Sequence, residues 1–369
     1  MPNNSETRLE IDLKALEHNY RYLRSKLKEN TKFLGVVKAF AYGSDAIVIS
    51  KKLEQLGADY LAVAYTSEGV LLRQAGIKLP ILVLHAQPKN YRANIKHCLE
   101  PNIYSIRGLK AFLQVAKDLK QSGYPIHIKF NTGLNRLGFE ENDIALIGKI
   151  LERNTEIKVK SIFSHLAASE DHSEKEFTLK QIKLFELLAG KLCLKLGIKP
   201  FKHILNTSGI LNYHQAQFDM VRSGIGLYGY GNEDKFDLKL QVVASLKSTI
   251  SQIHHIGPNE TVGYNRAFNS DASKIIATLP LGHADGIGRQ YGHGKTSVLV
   301  HGMPAPIIGN VCMDMIMIDI TNIDCKEGDE VLIFGKEHSA ENFAKTANTI
   351  SYELLCGISQ RIKRVYLGE

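Results

Sequence analysis

A lysine at the end of a short apolar run is the residue that most directly suggests chemistry. Residues 33–37 are apolar, Lys38 follows them, and Tyr42 and a glycine come shortly after. Because a buried ammonium is costly, a strand-end lysine that faces a pocket is either paired with an anion or acts as an amine nucleophile. The alternative is a lysine that leaves the strand for solvent, so the interpretation depends on what other residues accompany it.

Other polar side chains and glycines follow apolar runs in the same way. They are Lys129, Arg136, His165, Asn206, Thr207, Ser208, Arg222 and Gly224, the last followed by Ile225. Small hydroxyl residues and glycines after the last two runs are typical of a phosphate site, because backbone N–H groups must approach the anion closely. Taken singly, Thr207 and Ser208 are also what a helix cap requires, and His165 could be a core histidine.

The runs themselves predict the fold. Eight short apolar or β-branched segments alternate with amphipathic stretches such as 107–121 and 173–196. The eight are residues 33–39, 59–64, 80–85, 101–105, 125–130, 159–164, 201–205 and 218–222. This pattern predicts an α/β fold with a closed (β/α)8 barrel of the TIM type. Catalytic groups in such barrels lie on the loops after the strands, which is where the polar residues fall.

After residue 238 the sequence pattern changes to closely spaced strands with turns between them. They are predicted at 240–256, 274–281, 296–301, 311–320, 329–335 and 361–366. We therefore predict a barrel domain over residues 8–238 and a mainly β domain over residues 239–369, joined by residues 1–7.

Composition limits the class of protein. The five cysteines form no Cys-x-x-Cys pair, which argues against a disulfide framework and indicates reduced thiols in a cytoplasmic protein. We see no signal peptide and no membrane span. The formal charge of +8 comes from scattered lysines, which does not favour nucleic-acid binding but favours an anionic cofactor or substrate. Asp171 and His172 lack ligand spacing, so no metal is expected.

One cofactor suits this set of residues. A lysine that can form an imine, a phosphate cradle and an arginine on the same rim fit pyridoxal 5′-phosphate. The Gly224-x-Gly226-x-x-Gly229 pattern also matches a dinucleotide fingerprint, but no acidic residue follows about 20 positions on, so we discount it.

Several motifs in order along the chain resemble those of the alanine racemases. They are Val37-Lys38-Ala-Phe-Ala-Tyr42-Gly, Asn131-Thr-Gly-x-x-Arg136-Leu-Gly, Arg222 to Gly229, Val262-Gly-Tyr264, Ala284-Asp-Gly286, Gly309-Asn-Val-Cys-Met313-Asp314 and Tyr352-Glu. The resemblance implies a fold type III enzyme that interconverts L- and D-alanine for peptidoglycan synthesis. It further implies a homodimer in which each active site borrows residues from the partner's second domain.

The resemblance also implies roles for the residues. Lys38 would bind the cofactor and act as the base on one face of the substrate, and Tyr264 from the other subunit would act on the opposite face. Arg222 would donate to the pyridine nitrogen, with His165 linking it to Tyr264. The phosphate and cofactor would be held by Tyr42, Asn206, Thr207, Ser208, Gly224, Ile225 and Tyr352. Arg136 and the Met313 backbone would meet the substrate carboxylate, and Lys129 matches a position that is carbamylated in many relatives.

Three positions depart from the family pattern. His283 stands where tyrosine is usual, Asn131 where aspartate is frequent, and Phe40 where a polar residue is found.

Alternative functions are a racemase for serine, lysine or several amino acids, a decarboxylase of the same fold, and a non-catalytic carrier of pyridoxal phosphate. Such carrier proteins consist of a single barrel. Here residues 239–369 form a further domain that carries Tyr264 and Met313, which favours a racemase over a carrier.

Overall fold

The computed structural model describes residues 6–368. The described residues divide into two compact units, a barrel formed by Glu17–Ala41 and Ala46–Leu240 and a second unit formed by residues 6–16, Tyr42–Asp45 and residues 241–368. The predicted boundary near residue 238 lies close to the observed one. The N-terminal boundary differs, because residues 8–16 belong to the second unit. Residues 1–5 of the predicted segment 1–7 lie outside the described residues.

The bounds of the elements are as follows. The strands are β1 (Arg8–Asp12), β2 (Lys32–Val36), β3 (Tyr60–Val63), β4 (Ile81–Val83), β5 (Glu100–Ile103), β6 (Tyr124–Lys129), β7 (Ile157–Phe163), β8 (Phe201–His203), β9 (Met220–Ser223), β10 (Ala244–Thr249), β11 (Gln252–Ile256), β12 (Thr261–Val262), β13 (Phe268–Asn269), β14 (Lys274–Leu279), β15 (Ser297–Val300), β16 (Met303–Ile308), β17 (Ile316–Asp319), β18 (Glu330–Phe334) and β19 (Lys363–Leu367). The helices are α1 (Leu13–Arg24), α2 (Lys38–Tyr42), α3 (Ala46–Gln55), α4 (Thr66–Gln74), α5 (Tyr91–Lys96), α6 (Ile106–Asp118), α7 (Ile144–Glu152), α8 (Lys175–Leu196), α9 (Thr207–Asn212), α10 (Asp234–Asp237), α11 (Ala340–Lys345) and α12 (Ser351–Gly357).

The barrel consists of eight parallel strands in the order β8-β7-β6-β5-β4-β3-β2-β9. At the junction between β8 and β9, the Asp219 N–H donates to Lys202 O at 3.1 Å and the Arg222 N–H donates to Leu205 O at 3.0 Å. Each observed strand coincides with one of the eight predicted runs, so the predicted fold class is confirmed. The runs are continuous rather than alternating because both faces of these strands are buried, as in β3 and β4.

Local signals set the helix ends. The Ser105 side chain caps α6 by accepting from the Gly108 N–H at 3.1 Å. Helix α8 ends at Gly197, whose φ of 64° is in the left-handed region that glycine adopts without strain. Within residues 6–368, no helix combines the length and the apolar character that crossing a bilayer would need.

The second unit is built on a nine-stranded sheet in the order β11-β14-β17-β16-β15-β18-β10-β1-β19. The predicted strand 240–256 is in fact two, because β10 pairs with β18 while β11 pairs with β14. The prediction missed β1, β12, β13, β16 and the helices α11 and α12. Strand β16 escaped notice because Pro304 and Pro306 lack the N–H that a central strand normally uses.

Candidate active site

Lys38 lies at the C-terminal end of the first barrel strand. The preceding Val37 N–H donates to Ala62 O at 2.9 Å, and Tyr228 Oη donates to Val36 O at 3.1 Å. These bonds hold the backbone on which the half-buried Lys38 is mounted. The predicted nucleophile therefore lies directly after a hydrogen-bonded strand end of the barrel.

The backbone after Lys38 forms a left-handed turn. Ala39, Phe40, Ala41 and Tyr42 have φ values of 53–54°. The left-handed region costs about 1–2 kcal/mol per residue for L-amino acids, so this turn must be held by its surroundings. Glu68 supplies part of that restraint, because its carboxylate accepts from the N–H groups of Ala39 at 2.6 Å, Ala64 at 2.7 Å and Tyr65 at 3.0 Å. Sequence reasoning missed Glu68, since an acidic residue in the first turn of α4 is indistinguishable from an ordinary helix cap.

Four cations of the barrel influence one another. Lys129 is only 6% exposed. Burial, followed by the charges of Arg136, Arg222 and Lys38, lowers the pKa of Lys129 to about 8. Phe163 lies beside this group, with its ring centroid 5.9 Å from Lys129 Nζ and 5.3 Å from Arg222 Cζ. The structure thus brings together four of the residues predicted for the site, and Phe163 was not among the predictions.

Arg136 is exposed on a turn that folds back onto β6. The Phe139 N–H donates to Lys129 O at 2.8 Å, and the Asn131 N–H donates to Phe139 O at 3.0 Å. Gly138 makes this return possible, because it has a φ of 145° and a Cβ there would lie 2.2 Å from the Asn131 nitrogen. The turn therefore holds the backbone that carries Arg136 at the same rim of the barrel as Lys129.

Arg222 is buried at the end of β9 and is held by neutral acceptors. Its Nη1 donates to His203 Nδ1 at 2.7 Å, and its Nη2 lies 2.8 Å from Ser164 O, 3.1 Å from His165 Nδ1 and 3.1 Å from Ile204 O. Burial lowers the pKa of Arg222 to about 9, which leaves it a cation at neutral pH. Burial and the neighbouring cations, Arg222 first, hold the pKa of His165 well below its usual value, so its ring is neutral.

The loops after β8 and β9 form a small polar cradle. Asn206 caps α9 by accepting from the Gly209 N–H at 2.9 Å, and the Asn232 side chain donates to Ser208 Oγ at 2.9 Å. Thr207 Oγ1 lies 3.1 Å from Ser223 Oγ. Within residues 6–368, no acceptor is found for the backbone N–H groups of Gly224 and Ile225. The cap of α9 is therefore Asn206 and not Thr207 or Ser208, and the next loop presents donors of the kind that bind phosphate.

The remaining predicted residues belong to the second unit. The ring centroids of Tyr42 and Tyr352 are 6.0 Å apart. Burial, with Tyr352 and Cys356 nearby, raises the pKa of Tyr42, so its hydroxyl remains protonated and can donate. These two tyrosines are therefore brought together as predicted.

Tyr264 and Met313 are exposed on the second unit, at 71% and 60%. The Asn310 side chain donates to Tyr264 O at 3.0 Å and accepts from Arg289 Nη2 at 2.7 Å. The Ala284 N–H donates to Met313 O at 3.0 Å. Each residue is thus fixed through its own backbone.

A charge network holds the loop that carries Met313. Arg361 donates to both carboxylate oxygens of Asp285, at 2.6 and 2.9 Å, and to Asp314 at 2.6 Å. The side chain of His283, two residues before Asp285, is exposed. Sequence reasoning missed Asn310 and Arg361, because their partners are distant in the chain.

The barrel residues fit pyridoxal 5′-phosphate. Among the described residues, none accepts a hydrogen bond from Arg222 Nε, so this N–H of the buried cation can donate to the pyridine nitrogen. The N–H groups of Gly224 and Ile225, which have no acceptor among residues 6–368, can donate to the phosphate of the cofactor. Lys38, on the same rim of the barrel, provides an amine that can bond to the carbonyl carbon of the cofactor. The described residues contain no group of three or more His, Cys, Asp or Glu side chains placed to hold a metal ion. The site is that of a barrel enzyme that binds pyridoxal 5′-phosphate.

Comparison with known proteins identifies the family. Residues 11–232 match the alanine racemase N-terminal domain, and residues 243–366 match the alanine racemase C-terminal domain. The chain belongs to the alanine racemase family.

Relatives and solved structures of the family cover nearly the whole chain. Alanine racemase 1 of Clostridium acetobutylicum is 38% identical, over 97% of this chain and 94% of its own. The solved alanine racemase of Clostridium difficile is 36% identical with a TM-score of 0.92, covering 99% of this chain and 96% of its own. The alanine racemase of Bartonella henselae with covalently bound pyridoxal phosphate is 29% identical with a TM-score of 0.90, covering 98% of this chain and 100% of its own.

Proposed function

We propose that this protein interconverts L-alanine and D-alanine with pyridoxal 5′-phosphate, and so supplies D-alanine for peptidoglycan synthesis. The observation that carries the proposal is the convergence of Lys38, Arg136 and Arg222 at the rim of the barrel, together with the N–H groups of Gly224 and Ile225, which have no acceptor among residues 6–368. When bound, the cofactor supplies an electron sink that lowers the barrier to removal of the substrate's α-proton.

Inversion needs one proton to leave one face of the α-carbon and another to arrive on the opposite face. Lys38 provides an amine for one face, and Tyr264 of the other subunit provides a phenol for the other. The high exposure of Tyr264 and Met313 in the single chain supports a homodimer in which each second unit completes the partner's site. Tyr42 and Tyr352 contribute hydroxyl donors for the phosphate.

Arg222 and His165 set the electrostatics of the site. Arginine carries only donors, so the Nδ1 of neutral His165 must accept from Arg222 and its proton must be on Nε2. This Nε2–H is then available to donate to the oxygen of Tyr264 when that group has lost its proton. A guanidinium, rather than a carboxylate, opposite the pyridine nitrogen keeps that nitrogen unprotonated, which disfavours transamination.

Arg136 and the Met313 backbone bind the substrate carboxylate in this proposal, and a carbamate on Lys129 orients Arg136. The lowered pKa of Lys129 supports the modification, because only the neutral amine attacks carbon dioxide. A carbamate would also replace one positive charge of the cluster by a negative one. Protein incubated with ¹³C-bicarbonate should show a carbamate resonance that Lys129→Gln lacks; its absence from the wild type would remove this part of the proposal.

The function is tested by chiral chromatography of a panel of single L-amino acids incubated with the holoenzyme. We expect D-alanine to form much faster than D-serine or D-lysine, Lys38→Ala to abolish the reaction, and the exposed Lys183→Ala to leave it unchanged. Faster racemisation of serine or lysine would assign a different substrate. Bound cofactor with no racemisation of any amino acid would favour the carrier.

A further inference from the structure

Five polar side chains on consecutive barrel strands, β5 to β9, form one continuous line of hydrogen bonds. His127 Nε2 lies 2.7 Å from Glu100 Oε2, and His127 Nδ1 lies 2.6 Å from Ser161 Oγ. Ser161 Oγ lies 2.8 Å from His203 Nε2, and His203 Nδ1 lies 2.7 Å from Arg222 Nη1. We call these five residues the barrel relay. His127, Ser161 and His203 are all 0% exposed.

Such a line is unusual, because barrel interiors are normally filled by layers of apolar side chains. Burying a polar group costs free energy unless it is hydrogen-bonded, so three fully buried polar residues in a row require an explanation. Only Arg222 of this line belongs to the predicted active site. The relay therefore connects that arginine to a carboxylate at the first residue of β5.

The chemistry of Arg222 sets the direction of donation at the active-site end of the relay. Arginine has only donors, so His203 Nδ1 must accept from Arg222. The pKa of His203 is held well below its usual value by burial and by Arg222, so the ring is neutral and its one proton is on Nε2. Nε2–H then donates to Ser161 Oγ. A neutral His127 completes the relay, because its Nδ1 accepts the hydroxyl proton of Ser161 and its Nε2–H donates to the carboxylate of Glu100.

His203 is the contact that determines how the guanidinium is oriented. The carbonyl oxygens of Ser164 and Ile204 accept from Arg222 Nη2 and not from Nη1. The acceptor found for Nη1 within residues 6–368 is His203. Because the guanidinium is planar, fixing both terminal nitrogens also fixes the direction of Nε–H. A His203 ring with its proton on Nδ1 would present a donor to a donor and release this contact.

We propose that Glu100, His127 and Ser161 are positioning residues, which lock the Nε2–H tautomer of His203 and thereby aim Arg222 Nε at the pyridine nitrogen. The proposal rests on the proposed function for the role of Arg222. The tautomer of His203, however, can be measured in the protein without cofactor. The tautomer lock and the proposed function can therefore fail separately.

The first test is ¹⁵N NMR of histidine-labelled protein without cofactor. We expect the rings of both His127 and His203 to be neutral with the proton on Nε2, each assigned by loss of its signals in His127→Gln and His203→Gln. A wild-type His203 that is protonated on Nδ1, or on both nitrogens, would overturn the proposal whatever the variants do and would leave the proposed function untouched.

The second test compares variants after loading with pyridoxal 5′-phosphate labelled with ¹⁵N in the ring. Ser161→Ala and Glu100→Leu should shift the ring-nitrogen resonance and weaken cofactor binding by about tenfold, the value of one ordinary hydrogen bond. Glu100→Gln should stay close to the wild type, because its amide oxygen still accepts from His127. The matched control is Ser50→Ala, since Ser50 is a buried serine of the barrel with no hydrogen-bond partner found within residues 6–368.

The outcomes separate the two claims. An unchanged ring-nitrogen resonance in Ser161→Ala and Glu100→Leu would refute the positioning role. Equal shifts in Ser50→Ala would also refute it, because they would reflect packing alone. If the wild type binds no pyridoxal 5′-phosphate, the proposed function fails, and the NMR of the cofactor-free protein still decides whether the tautomer lock exists.

Discussion

Asn131 Nδ2 lies 2.8 Å from Glu140 Oε1 across the turn that carries Arg136. The same amide donates to Asn135 Oδ1 at 2.8 Å, and its oxygen accepts from the N–H groups of Gly133 and Asn135. An aspartate at this position could accept but could not donate. The pairing of Asn131 with Glu140 therefore depends on the amide N–H of Asn131, which an aspartate would lack.

Asn131→Asp should loosen the Arg136 turn. The change removes two donated hydrogen bonds and places a carboxylate against that of Glu140, so we expect a loss of about 1–2 kcal/mol in the free energy of unfolding. The KM for alanine should rise more than kcat falls, because the turn positions a binding residue. Adding Glu140→Gln should restore much of both losses, and a double variant no better than Asn131→Asp would contradict the account.

Lys129→Met tests the burial of the lysine cation in cofactor-free protein without bicarbonate. The folded-state pKa of about 8 lies below the ordinary lysine value of 10.5, so unfolding takes up protons between these pH values and the wild type gains stability as pH rises through that window. Below pH 8 the wild type bears the full cost, about 3 kcal/mol. The stability advantage of Lys129→Met over wild type in urea unfolding should therefore shrink from pH 8 to 10.5. A constant difference would show that Lys129 is not perturbed.

Gly226→Ala should damage the phosphate cradle. A Cβ at this position would lie 2.5 Å from Thr207 Cγ2, so Thr207 must shift, at a cost of about 1–3 kcal/mol. We expect lower thermal stability and weaker binding of pyridoxal phosphate. Gly190→Ala is the matched control, because a Cβ there meets nothing within 4 Å, and in helix α8 it should stabilise the protein. Equal behaviour of the two variants would argue against a tight cradle.

Tyr264→Phe removes one of the two proposed bases. The racemisation rate should fall by about 10²- to 10⁴-fold, or about 3–5 kcal/mol of barrier. The equilibrium between enantiomers cannot move, so the asymmetry must appear in exchange: in D₂O the α-proton of the enantiomer that Lys38 deprotonates should still exchange. NMR of each enantiomer measures this. Equal loss of exchange from both would argue against two opposed bases.

The barrel was predictable from the sequence because its strands are buried on both faces and are therefore continuously apolar. The rim residues were predictable because polar side chains interrupt those runs at their ends. The pairing of β1 with β10 and β19 was not, because it joins segments more than 230 residues apart.

The residues that position the site were equally hidden. Glu68 looks like a helix cap, and His127 and Ser161 look like ordinary strand residues until the fold brings them into one line. Local patterns identify the residues of a site, whereas their supporting contacts depend on the tertiary structure.

We expect Lys38 to bind the cofactor, and borohydride treatment of the holoenzyme followed by peptide mapping decides whether it does. Borohydride makes a covalent link between pyridoxal phosphate and a lysine permanent. We expect a single modified peptide, with the cofactor on Lys38, and none in Lys38→Ala. Cofactor mapped to Lys129 or to any other lysine would contradict it.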